Sequence, residues 1–134
     1  MRVYLAMCGM FGIPSQDLED VDVLASYYYL RKNTELHEGV KHARTFLCDS
    51  GLFTFVNTGV NVNLEAYADE YADYVRDNNI REYIELDVDD LKGVEWTRRL
   101  RDRIERRVGG SRYRCSTCQE ARRGSFRIAR TTIG

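Results

Sequence analysis

The chain is poor in several things at once: among 134 residues there is one proline, two histidines, four cysteines and almost no net charge. It has no apolar run near the ~18 residues that a membrane helix needs. The start, MRVYLAMCGMFGIP, lacks the cleavage pattern of a secretory leader. Both shortages point to a cytoplasmic protein with no membrane partner. A formal charge of -1, from 20 Lys and Arg against 21 Asp and Glu, gives no whole-chain attraction for nucleic acid, which leaves that role to a local basic stretch. Of Cys8, Cys48, Cys115 and Cys118 only the last two are closely spaced, so all four read as free thiols in a reducing compartment. No P-loop, GxGxxG or Ser-His-Asp arrangement is present.

What remains is the composition of a globular chain, 43% hydrophobic and 11% aromatic, with room for one domain or part of a larger one. RVYLAMC (Arg2 to Cys8), VDVLASYYYL (Val21 to Leu30), TFLC (Thr45 to Cys48) and REYIEL (Arg81 to Leu86) read as strands, with the tyrosine run as half-buried sheet packing. NTELHEGVKHA (Asn33 to Ala43) reads as a short capped helix whose His37 and His42 face solvent. In NLEAYADEYADYVRDNN, residues Leu64, Tyr67, Ala68, Tyr71 and Val75 fall at helical spacing behind an Asn63 cap. Trp96, Leu100, Ile104 and Val108 do the same across Val94 to Val108. Strands alternating with helices at these lengths predict an α/β fold with a mainly parallel sheet.

In such sheets reactive groups collect at the C-terminal ends of the strands. Asp49, in FLCDSG, and Asp87, in IELD, both stand there. Two readings of Asp49, Ser50 and Gly51 stay open. One is a strand-ending turn, with Asp bonding nearby amides and Gly supplying permissive dihedrals. The other is a pocket carboxylate with Gly51 admitting a ligand close to the backbone. Phe53 and Phe55 read first as core, with a pocket wall as the alternative. ELDVDD (Glu85 to Asp90) lacks the spacing of a calcium loop, and Asp89 or Asp90 is placed to cap the next helix, so no metal or other cofactor is expected.

FLCDSGLFTF, the preceding VLASYYYLRK and the later YIELDVDD together resemble the N-terminal half of the tRNA-guanine transglycosylase superfamily, in particular its compact, phage-associated branch. Leu52 and Thr54 depart from the DSGGFQ form of the longer members and suit the looser DSG-x-F pattern. The resemblance covers Met1 to Val108. It implies the first part of a β/α (TIM-type) barrel over residues 1–109, which alone leaves strand edges uncovered. It also implies exchange of guanine for a 7-deazaguanine base in tRNA or DNA, a queuosine-type nucleic acid modification. Asp49 would serve acid-base chemistry or positioning, Ser50, Gly51 and Phe53 would line the base site, and Asp87 would contact the heterocycle. The family's nucleophilic Asp, on a later strand, is matched by no residue here, and Cys115 and Cys118 do not reproduce the family's zinc set. The chain by itself is therefore expected to lack turnover.

Residues 110–134 change character. SRYRCSTCQEARRGSFRIARTTIG has six Arg, one Glu and no Lys, without clean periodicity. It reads as a basic irregular tail. Permitted codons for GSRYRCSTCQEARRG, read in a shifted frame, encode a peptide like the family's next strand, so an out-of-frame origin is one expectation. The alternative is a small non-enzymatic α/β module that binds nucleic acid through these arginines.

Overall fold

The computed structural model describes residues 3–7, 15–110, 114–115 and 127–129. Four parallel strands form the centre of the molecule: β1 (Val3–Met7), β2 (Asp22–Ser26), β3 (Thr45–Asp49) and β4 (Glu82–Tyr83). Each lies beside its predecessor. The backbone at Arg114–Cys115 (β5) adds to the β4 edge and that at Arg127–Ala129 (β6) to the β1 edge, giving the order β5-β4-β3-β2-β1-β6, all parallel. The fold is α/β, as expected. The edges of β1 and β4 are covered rather than bare, and two stretches of the supposedly irregular tail are strands; its other residues lie outside those described.

Helices α1 (Tyr27–Leu30), α2 (Thr34–Val40), α3 (Leu52–Asn57), α4 (Leu64–Asp77), α5 (Asp89–Lys92) and α6 (Val94–Val108) fill the connections. α2, α4 and α6 stand where periodicity placed them, and the Asn33 and Asn63 side chains accept from the Leu36 and Ala66 amides at 2.9 and 3.0 Å as caps. Two expectations need correction. The tyrosine run is not sheet: the Ser26 hydroxyl accepts from Tyr28 N at 3.2 Å and turns the chain into α1. β4 is shorter than Arg81 to Leu86, because beyond Tyr83 the strand gives way to a segment whose buried Glu85 takes the Arg101 guanidinium of α6.

The strand registers divide the side chains between two faces. Val23, Ala25, Cys48 and Tyr83 join Leu36, Tyr71, Leu100 and Ile104 in one core beneath the helices. Leu47, with no exposed surface, and Tyr4 are buried but lie on the opposite face and stay out of that core. There the Tyr4 hydroxyl donates to the Glu82 carboxylate at 3.2 Å. The two residues belong to β1 and β4, three strand spacings or about 14 Å apart in a flat sheet. They meet because the sheet curls, making this face concave.

α4 holds the sheet by hydrogen bonds as well as by packing. The fully buried Tyr71 hydroxyl lies 2.9 Å from the Cys48 carbonyl and 2.8 Å from that of Ile84, so it bridges β3 and the chain leaving β4. The Cys48 carbonyl also accepts from Ile84 N at 2.8 Å, whereas the tyrosine is the contact that satisfies Ile84. Tyr71→Phe is predicted to cost about 1–3 kcal/mol, the price of an unpaired buried carbonyl. Urea unfolding should show a lower midpoint at an unchanged slope; an unchanged midpoint would show that the bridge contributes nothing.

Candidate functional site

The site is built at the end of β3. Alternation along the strand sends Asp49 to the same face as Leu47, and the register sets it beside Ser26 of β2. Asp49 is thus on the concave face at the C-terminal end of the sheet. Its Oδ2 accepts from Gly51 N at 3.2 Å, and no Lys or Arg among the described residues forms an ion pair with it. Burial raises the carboxyl's pKa above its ordinary value, against the opposing pull of the Gly51 and Ser50 amides.

The DSG loop is fixed from three sides. Gly51 has φ 69°, and a Cβ there would stand 2.1 Å from Ser26 Oγ and 2.6 Å from Tyr28 Cβ. Both dihedral and space demand glycine, and the close approach is to the β2-α1 corner of the protein itself. Ser50 is buried: its hydroxyl accepts from Leu52 N at 3.4 Å and its carbonyl accepts from the Tyr67 hydroxyl at 2.5 Å. The Asp49 bond to Gly51 N and the left-handed Gly51 form the turn of the first reading, and the same Asp49 lies on the concave face, where the second reading needs it.

Asp87 is exposed, and its Oδ1 accepts from Asp89 N at 3.1 Å. This corrects the expected cap: Asp89 and Asp90 occupy the first turn of α5, and the acid that bonds a free amide there is Asp87. Since Cys48 pairs with Tyr83, Asp49 is level with Ile84, and Asp87 is three residues farther along the chain, past the end of β4. The two acids share an edge but not a level. Phe53 is neither core nor wall, being 83% exposed. Phe55 is half-buried, with its ring 5.1 Å from Tyr67 and 5.9 Å from Tyr28. His37, expected in solvent, is half-buried with Nδ1 2.5 Å from the Tyr74 hydroxyl.

Four residues around the site were not expected there from the sequence: Ser26, Arg31, and Tyr67 and Tyr71, which read only as a helix face. Arg31 sits among the rings of Tyr27, Tyr28, Phe55 and Tyr67, its guanidinium carbon 4.9 to 5.8 Å from their centroids. Burial raises the Tyr67 phenol well above its usual range; Arg31 opposes this and Asp49 adds to it, which puts that ring within electrostatic reach of both. A signal for the tyrosines did exist. Phenols four residues apart on the buried face of a helix need acceptors, and strand-end carbonyls are the available ones.

Cavities among the described residues lie elsewhere. One of about 560 Å³ lies at the opposite end of the sheet, lined by His37, Lys41, Arg44, Tyr74 and Glu82 among others, and one of about 150 Å³ lies beside Trp96 on α6. Neither includes Asp49 or Asp87. Cys48 is a buried free thiol whose pKa burial raises far above its usual value, as for an inert core residue. Among the described residues no group of His, Cys, Asp or Glu is set to hold a metal, and no helix is long and apolar enough to cross a membrane. Comparison with protein-family models, curated proteins and solved structures gives no match.

An acid whose folded pKa exceeds its unfolded one prefers its neutral form in the fold. Stability is then greatest with Asp49 protonated and falls as pH rises from the unfolded carboxyl value through the raised one. Asp49→Asn retains an acceptor for Gly51 N and removes the charge. Thermal melts should place this variant above the native chain at neutral pH, with the gap closing in acid. A variant less stable at both pH values would make Asp49 a turn residue only.

Proposed function

We propose that the chain is a transglycosylase-like β/α-barrel module that binds guanine or a 7-deazaguanine for base exchange in tRNA or DNA. The observation that carries this reading is Asp49: an acid with no ion-pair partner among the described residues, its pKa raised by burial, at the C-terminal end of a parallel strand on the concave face. The strand order supports the barrel, because β1 to β4 step in one direction without the reversal that defines a doubly wound sheet. The Tyr4-Glu82 contact adds the curvature that a closing sheet requires.

In this reading Asp49 works by its proton. When the bond between base and sugar breaks, the leaving guanine must gain a proton on its ring, and the incoming base must lose one. A carboxyl with a raised pKa can give the first and accept the second. Asp87, exposed farther out on the same edge, meets the heterocycle only once a ligand bridges the two levels. The carboxylate that would attack the sugar carbon has no counterpart in this chain, so base binding is the activity to measure.

Guanine and 7-deazaguanine titrated into the full chain should perturb tyrosine fluorescence, since Tyr67 bonds the loop beside Asp49. Asp49→Asn should weaken binding about tenfold or more, equivalent to ~1.4 kcal/mol, and Asp87→Ala should weaken it less. Binding of neither base, or equal binding by Asp49→Asn, would contradict the proposal. Labelled guanine offered with tRNA and with DNA then reports which polymer, if either, accepts it.

A further inference from the structure

Arg31 is the one cation among the described residues that approaches four rings. Tyr27 and Tyr28 come from α1, which Arg31 immediately follows, Phe55 from α3 and Tyr67 from α4. Its Nε is buried with no hydrogen-bond partner, the only such side-chain atom found among the described residues. Among the described residues no carboxylate pairs with it either: Asp49 and Glu70, whose charges are felt by Tyr67 and Tyr27, form no ion pair with Arg31. With Nε buried, the remaining donors of the half-buried guanidinium are its two terminal amino groups, and the Tyr27 phenol lies within hydrogen-bonding reach of the side chain.

A guanidinium held this way is prepared for a ligand. Rings on its faces strip water from the plane and fix its orientation, at a cost in entropy met by the fold. The outer edge keeps parallel N–H donors spaced for two oxygens of one oxyanion. The next residue supplies a second charge: Lys32 Nζ is exposed and 4.9 Å from the centroid of Tyr28, the ring that Arg31 approaches to 5.3 Å. Two adjacent cations without ion-pair partners among the described residues suit a phosphate better than a single carboxylate.

We infer that Arg31, oriented by its aromatic box and assisted by Lys32, is a phosphate-binding site at the C-terminal edge of the sheet. The site stands next to the DSG loop, since Gly51 packs on Tyr28 and Tyr67 bonds Ser50. This inference deepens the proposed function: a phosphate held there would locate a nucleotide whose base reaches Asp49. The phosphate could belong to a phosphodiester strand or be free, and the chemistry at Arg31 is the same.

Burial of Nε supplies the probe, because a sheltered Nε–H exchanges slowly enough to be followed by nitrogen-15 NMR in the full chain. Three additions separate the sources: inorganic phosphate, a single-stranded oligonucleotide, and the same oligonucleotide with uncharged methylphosphonate links. A phosphodiester source predicts that the first two shift the Arg31 signal and the third does not. A shift with inorganic phosphate alone supports the same site with a free phosphate as its ligand. Arg31→Lys, which keeps charge but loses the fork, should weaken phosphate binding about tenfold or more. Lys32→Gln, an exposed change that leaves the core intact, should weaken it by a smaller factor. No shift with either phosphate-bearing probe, or native binding by both variants, would overturn the inference. Phosphate binding with no guanine binding would sink the base-exchange reading and leave this site standing; guanine binding unaffected by Arg31→Lys, with no phosphate shift, would do the reverse.

Discussion

Two phenols of α4 fix the place that matters most in this molecule. Tyr67 and Tyr71, one helical turn apart, bond the carbonyls of Ser50 and Cys48, which are the residues on either side of Asp49. A phenylalanine at either position would nearly fill the volume, but the Ser50 carbonyl would lose its Tyr67 bond and the Cys48 carbonyl would keep only that from Ile84 N. Because the backbone is gripped before and after it, Asp49 has little freedom to turn from the concave face toward water or a distant lysine. Its raised pKa follows from that confinement. So does the need for glycine at 51, where the chain must leave the strand through a left-handed dihedral and pass against Ser26 and Tyr28.

The same grip links the sheet to its charge network. Tyr71 joins β3 to the chain beyond β4, and the next buried acid along that chain, Glu85, is neutralised by Arg101 from α6. α6 is in turn clasped to α4 by Arg103 on Asp69 and Arg107 on Asp73, with each guanidinium placing two nitrogens on the carboxylate at 2.7 to 2.8 Å. Those outer pairs are solvated and contribute little each. Their effect is alignment: they keep α4 in the one rotation that aims its tyrosines at β3.

Much of this was legible in the sequence because hydrophobic period and caps agree. β1, β3, α2, α4 and α6 lie where alternation, helical spacing and the Asn33 and Asn63 caps put them. The tyrosine run misled because three strand-favouring residues outweighed one serine, and that serine, as a cap, decides the conformation. LFTFVN was similarly opaque: it has the composition of a strand, and it is a helix because Gly51 redirects the chain before it begins. At the site, the position of Asp49 was readable from strand ends, whereas the unequal levels of Asp49 and Asp87 depend on register, which composition does not encode. The ring box around Arg31 gathers residues from three helices and has no local signature at all.

Asp49 is a confined carboxyl whose pKa burial raises, and not merely the acceptor in a tight turn. Carbon-13 NMR titration of its side-chain carboxyl in the full chain measures this directly. The structure predicts a midpoint above the ordinary aspartate value of about 3.9. A midpoint at or below that value would mean that the amides of the DSG turn govern the group, and would contradict the assignment of Asp49 as a functional acid.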